Sequence, residues 1–292
     1  MSANDEKILI TGATGVQGGA LARTLFGLGR GRAVRALTRR PDAAAARALA
    51  DAGAEVVAGD LLDRPSLDRA LAGVDAVFAV GTPYESGPDA EIRQGVTLVD
   101  AARAAGVGHF VYSSVGGADR RTGIPHFESK RRVEEHLSES GLPYTIVAPV
   151  FFMENAFSPW ALPALKSGAV ARALPAGRKL QQVAIGDLAE LSAAVLSRRA
   201  EHLGKRLDVA SDEQTGRDEV AILARVLGRD VAYQEIPIAQ LRARSEDLAL
   251  MFEWFDRVGY SADVPALRAG YPEVSWHTFE SWARAQDWAA AR

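Results

Sequence analysis

The chain is organised around residues 7–19, KILITGATGVQGG. Ile8, Leu9 and Ile10 form a short apolar run, the pattern of a strand buried on both faces. Behind it Gly12, Gly15 and Gly18 recur every third residue, and Ala20, Leu21, Leu25 and Leu28 continue at helical spacing. Strand, glycine-rich turn and helix in that order form the first half of a dinucleotide-binding βαβ unit.

Each glycine has a physical reason to be there. Gly12 allows the tight turn, Gly15 lets the backbone approach a pyrophosphate, and Gly18 lets helix and strand pack closely. The helix start offers unpaired N–H groups and a positive dipole end to phosphates, so Gly12, Thr14, Gly15, Val16, Gln17 and Gly18 form the expected cradle. The spacing is G-x-x-G-x-x-G, not the standard G-x-G-x-x-G. In a chain with 27 glycines the bare spacing says little. Its place between a buried strand and a helix carries the reading.

Further strands are expected at residues 33–38, 55–58, 76–80, 109–113 and 144–148, with helices at 43–52, 67–71, 91–105 and 125–140 between them. Strands alternating with helices predict an α/β fold with a doubly wound, mostly parallel sheet of Rossmann type. After Pro149 the rhythm changes. Residues 151–160 are aromatic and irregular, 169–183 suit short strands and loops, and helical spacing returns around Leu188, around Val220 behind Thr215, over 241–255 and over 279–288. The expected division is a dinucleotide-binding domain over 1–150 and a smaller C-terminal α/β lobe over 151–292, with later segments such as 180–210 able to join the first.

A hydrophobic fraction of 48% with 24% charged residues suits a soluble globular protein. No run approaches the roughly 20 apolar residues of a membrane span, and MSANDEK lacks an apolar signal core, so a cytoplasmic protein with no membrane partner is expected. A net charge of −3 gives no general attraction to nucleic acid. The absence of cysteine excludes disulfides and thiolate chemistry, and five scattered histidines show no metal-ligand spacing.

In a doubly wound sheet ligands sit beyond the carboxyl ends of the strands. There the sequence places the glycines, Arg39, Asp60, Gly81, Ser113 and Pro149. Sites that prefer NAD carry an acid on the ribose 2′-hydroxyl about 20 residues after the glycines. This region holds Thr38, Arg39 and Arg40 instead, and guanidinium groups chelate a 2′-phosphate that a carboxylate would repel. NADP(H) is therefore expected over NAD(H). Asp60, with Leu61 beside it, fits equally an adenine-side neighbour or the cap of the following turn.

With TGATGVQGG, TRRPD, AGDLLD, YSSVGG, HFESKRRVEEHL and PVFFMEN in this order, the chain resembles the NmrA-like family of atypical short-chain dehydrogenase/reductases over roughly residues 7–209. The resemblance implies a Rossmann domain, a small substrate or effector lobe and NAD(P) binding. Relatives with dehydrogenase activity use Tyr-x-x-x-Lys with a nearby serine, and their lysine also contacts the nicotinamide ribose. Residues four apart share a helix face, so the lysine charge lowers the phenol pKa for proton transfer. Here Lys130 is preceded by His126, not tyrosine, with Ser113 and Ser114 available. An ammonium beside His126 is expected to hold the imidazole neutral, a poor general acid.

Tyr84 offers a phenol from another direction. The 151–155 segment matches a motif beside the nicotinamide end in the family. The cofactor set therefore extends to Gly81, Thr82, Lys130, Pro149 and Phe152, and Tyr84, Phe151, Phe152, Asn155 and Trp160 are candidate pocket residues, with core packing as the alternative for the phenylalanines. Two functions follow from the resemblance: an NADPH-dependent reductase of a small quinone or carbonyl, or a sensor of NADPH/NADP+ balance that acts on a protein partner.

Overall fold

The computed structural model describes residues 6–29 and 32–291. Strand β1 (Glu6–Ile10) is buried on both faces: Ile8 and Ile10 join one core and Leu9 the other. It is followed by helix α1 (Val16–Gly27), β2 (Arg32–Thr38), α2 (Ala44–Asp51), β3 (Glu55–Ala58), α3 (Arg64–Leu71), β4 (Ala76–Val80), α4 (Pro88–Ala104), β5 (His109–Ser113), α5 (Pro125–Glu139) and β6 (Tyr144–Pro149). A further strand, Lys205–Val209, pairs in parallel with β6 and completes a seven-stranded parallel sheet. The order is Lys205–Val209, β6, β5, β4, β1, β2, β3. This is the doubly wound Rossmann arrangement expected from the alternating pattern.

The order reverses at β1, so the crevice between β1 and β4 is the topological switch point. Thr11 fastens it: its backbone N–H donates to Phe78 O at 3.0 Å, its hydroxyl donates to Val80 O at 3.0 Å and accepts from Val80 N at 2.8 Å. The first glycine turn therefore leaves the sheet at the crevice. Helix α1 and the Ile185–Ser197 helix pack on one face through Ala20, Ile185 and Ala189. Helices α3, α4 and α5 cover the other. Among the described residues no helix is long and apolar enough to cross a membrane.

Two expectations for the later chain need correction. The helix expected over 241–255 is two helices, Ile238–Arg242 and Glu246–Arg257. Ser245 adopts extended backbone and accepts the Leu248 N–H at 3.2 Å, which starts a new helix. The last expected helix stops at Ala285, where Gln286 turns extended, and Trp288–Ala291 forms a separate 3-10 turn. Trp282 and Trp288 are core residues there, packed with Met153, Leu223 and Phe279.

His109 opens β5 fully buried. Thr145 Oγ1 donates to His202 O at 2.9 Å and so accepts from His109 Nε2 at 2.8 Å, while His109 Nδ1 has no partner. Burial, with the positive charges of His202 and Arg199, pushes the imidazole down from 6.5 to about 4. The unfolded chain therefore takes up this proton before the folded one does, so stability is intact above pH 6.5 and is lost as pH falls toward 4. Between pH 7 and 4.5 the loss is expected to be about 2 kcal/mol greater in the wild type than in His109→Gln, read from urea midpoints. Equal losses would show that His109 does not titrate in this way.

Candidate functional site

The glycine turn matches its expected geometry. Gly12 has φ +58, and a Cβ there would lie 2.7 Å from Val80 Cγ1. Gly15 is the N-cap of α1 with no side-chain cap, and a Cβ at Gly18 would lie 2.5 Å from Gly12 O. The first N–H groups of a helix have no intrahelical partner, and this cap supplies no side-chain acceptor. Thr14, Gly15 and Val16 are exposed; the Gly15 N–H closes the turn on Gly12 O at 2.9 Å, which leaves the amides of Thr14 and Val16 facing the open side. The cradle fits a pyrophosphate.

Arg39 and Arg40 stand exposed just past β2. Arg39 Nη2 lies 2.6 Å from Glu85 Oε2, which reaches it from the 81–87 loop. Asp60 Oδ1 accepts the Leu62 N–H at 2.8 Å, closing a turn, and Leu61 packs against the core. Thr82 is exposed, and Pro149 ends β6 buried with its carbonyl accepting from Gly116 N.

Lys130 is buried and its charge is matched. Nζ donates to Glu91 Oε1 at 2.8 Å and to Gly81 O at 3.3 Å, and stands 5.8 Å from the Tyr112 ring centre. Ser129 donates to the other Glu91 oxygen. Gly95 makes this possible: a Cβ there would lie 2.5 Å from Val133 Cγ2, so α4 approaches α5 only with glycine. Glu91, one turn before Gly95, was not singled out from sequence. The helix expected to begin near it begins at Pro88, behind Gly87 at φ +84, so that Glu91 lies in the first turn.

The expectation that Lys130 holds His126 neutral is corrected. Lys130 spends its charge on Glu91, and His126 faces Asp247 instead. The two Asp247 oxygens lie 2.8 and 2.6 Å from Nδ1. Burial raises the Asp247 carboxyl, but the hydrogen bonds and charge of His126 outweigh it and hold it below its ordinary range. Asp247 was also missed; its signal is an acidic first turn behind the Ser245 cap.

Ser113 is fully buried and donates to Gln17 Oε1 at 2.7 Å, linking β5 to the cradle; Ser114 donates to Glu134. Tyr84 is exposed, with its ring centre 6.1 Å from that of His126. Phe151 is buried, edge-on to Trp160 at 6.4 Å and to Phe255 at 6.2 Å, whereas Trp160 itself is exposed. Phe152 is half-buried against the cluster of Ala20, Ile185 and Ala189. Asn155 is half-buried in the 3-10 turn Met153–Phe157. Glu154 faces inward, accepting from Ile185 N and Trp282 Nε1, both at 3.0 Å.

A parallel doubly wound sheet with a glycine turn and helix start at its switch point defines a Rossmann-type dinucleotide-binding protein. The NmrA-like family model matches residues 4–283, and the chain belongs to that family. It is 38% identical to the (4-alkanoyl-5-oxo-2,5-dihydrofuran-3-yl)methyl phosphate reductase of Streptomyces griseus, over 80% of this chain and 79% of that protein. It is 32% identical to the NAD(P)H azoreductase of Xenophilus azovorans, covering 80% of this chain and 79% of the relative. The NADPH-dependent quinone oxidoreductase QOR2 of Escherichia coli, solved with NADPH, superposes with a TM-score of 0.81 at 28% identity, covering 94% of this chain and 98% of that one.

Proposed function

We propose that the chain is an NADPH-dependent reductase of a small quinone- or carbonyl-type acceptor. The observation that carries the cofactor half is the end of β2, where Arg39 and Arg40 stand beside the cradle with no carboxylate on that strand. The Arg39–Glu85 pair is more than half exposed on both sides. Such pairs hold about 0–1 kcal/mol, so a doubly charged phosphate displaces Glu85 readily. Gly12, Thr14, Gly15, Val16, Gln17 and Gly18 hold the pyrophosphate, Asp60 and Leu61 flank the adenine side, and Gly81, Thr82, Pro149 and Phe152 line the remainder. An ammonium carries three donors; Lys130 commits two to Glu91 and Gly81, and the third meets the nicotinamide ribose.

When bound, the dinucleotide supplies hydride. The acceptor pocket is then walled by Tyr84 and Trp160, backed by Phe151, with Asn155 and Phe152 at its inner edge. The reductase character of the three relatives supports this reading, because the family resemblance extends through the site segments. His126 takes the place of the tyrosine, and Ser113 fixes Gln17 at the junction of the cradle and that end of the site.

Arg39→Ala is expected to weaken NADPH binding about 10- to 100-fold, the range for a hydrogen bond to a charged group, and to leave NADH within about twofold by calorimetry. Unchanged NADPH affinity would remove the 2′-phosphate assignment. For the reaction, NADPH consumption with a panel of quinones and aldehydes is followed at the reduced-nicotinamide absorbance. Silence across the panel, with unequal affinities for NADPH and NADP+, would favour the sensor reading over the reductase.

A further inference from the structure

His126 stands where the family's tyrosine works, and it comes with a partner from the other lobe. The Ser245 cap sets the first turn of the Glu246–Arg257 helix so that Asp247 reaches α5. One carboxylate takes two protons of the same residue: Oδ1 accepts the His126 backbone N–H at 3.0 Å, and the pair of oxygens faces Nδ1. Backbone and ring are thus fixed together. The Phe127 ring closes on the imidazole edge-on, 4.8 Å between centres, with Tyr84 on another side. Because a carboxylate only accepts, Nδ1 carries a proton, and Nε2 has no protein partner among the described residues. The charged groups facing the ring are Asp247 and, one turn along α5, Lys130, which Glu91 neutralises; from the 81–87 loop Tyr84 faces the ring, while Glu85 pairs with Arg39.

We propose that Asp247 is a positioning residue, holding His126 by Nδ1 so that Nε2 delivers the proton in carbonyl reduction. The inference rests on the reductase reading. Reduction of a carbonyl needs a hydride at carbon, from the dinucleotide, which is oxidised, and a proton at oxygen. The doubly protonated imidazole gives its Nε2 proton as the C=O π pair becomes the O–H bond. It is left neutral, with its remaining proton on Nδ1 against Asp247, and water restores the other. A quinone takes hydride with less need of this proton.

The competing role for Asp247 is purely that of a cap for α5. Asp247→Asn separates the two. Its amide oxygen retains the backbone bond, while its NH2 falls where Oδ2 lies, 2.6 Å from Nδ1, and favours the Nε2–H tautomer. The test uses 15N-histidine-labelled protein and long-range 1H–15N spectra at about pH 8.5, where imidazole is ordinarily neutral. His126 is expected as Nδ1–H in the wild type and Nε2–H in Asp247→Asn. With an aldehyde, kcat falls at least about tenfold in that variant; with a quinone it stays within about twofold, NADPH affinity is unchanged, and Asp247→Glu recovers part of the loss. An Nε2–H tautomer in the wild type, or equal loss with both acceptors, overturns the proposal. Silence of the wild type toward every acceptor overturns the reductase reading itself, and the spectra, which need no turnover, tell that failure from failure of the pair.

Discussion

Arg172→Met is expected to lower the free energy of unfolding by about 3–5 kcal/mol, the range for stranding one member of a buried ion pair. Arg172 and Glu219 are 7% and 1% exposed. Arg172 ends the Ala169–Arg172 strand, and Glu219 sits in the first turn of the Gly216–Leu227 helix, whose Thr215 capping box fixes where that turn begins. The guanidinium meets the carboxylate through two bonds, the Nη2–Oε1 one at 2.7 Å. Methionine fills similar space but carries no charge, leaving Glu219 with only the Gln182 amide, 3.3 Å away. The double variant Arg172→Met/Glu219→Leu should recover most of the loss, because an apolar pair removes both charges together. Urea unfolding decides it. A loss below about 1 kcal/mol in the single variant would mean that the pair behaves as a surface one. The same change reaches the proposed acceptor pocket, since the Arg172 guanidinium lies 5.2 Å from the centre of the Phe151 ring, which packs edge-on to Trp160.

What was legible in the sequence follows from how far each feature reaches along the chain. The buried parallel strands read as apolar runs because both faces need apolar side chains. The glycine turn read correctly because its constraints are local. The Lys205–Val209 strand hid itself: it sits at the sheet edge, only Val209 is buried, and KRLDV carries no apolar run. The break at Ser245 was masked by apolar spacing that continues across it, and only the cap reveals it. Glu91 and Asp247 were out of reach for a different reason. They meet Lys130 and His126 from 39 and 121 residues away, and no local spacing encodes such a meeting. Without those two carboxylates, the Lys130 ammonium looked free to hold His126 neutral. With them, Lys130 pairs with Glu91 and the His126 ring hydrogen-bonds to Asp247, so each has a partner of its own.

Gly18→Ala should weaken NADPH binding by at least about tenfold while costing about 1–3 kcal/mol of stability, the usual range for overpacking. The added Cβ would meet backbone alone: Gly12 O at 2.5 Å, Gly12 C at 2.7 Å and Ala13 Cα at 2.9 Å. No side chain can rotate away to make room, so the turn itself must move. Thr11 resists that movement by tying the start of the turn to β4 through its bonds to Val80 and Phe78. The strain therefore falls on the segment between Gly12 and Gly15, which the Gly15 N–H closes on Gly12 O at 2.9 Å, and in the proposed cradle phosphate binding depends on the amides of this turn and of the helix start pointing to one place. Gly27→Ala is the control, at the other end of the same helix with nothing within 4 Å of the new Cβ. It should leave binding untouched and, by removing freedom from the unfolded chain, leave stability equal or slightly higher. Calorimetric titration with NADPH separates the outcomes: if Gly18→Ala binds as the wild type does, the turn accommodates a side chain and its glycines do not define the phosphate cradle.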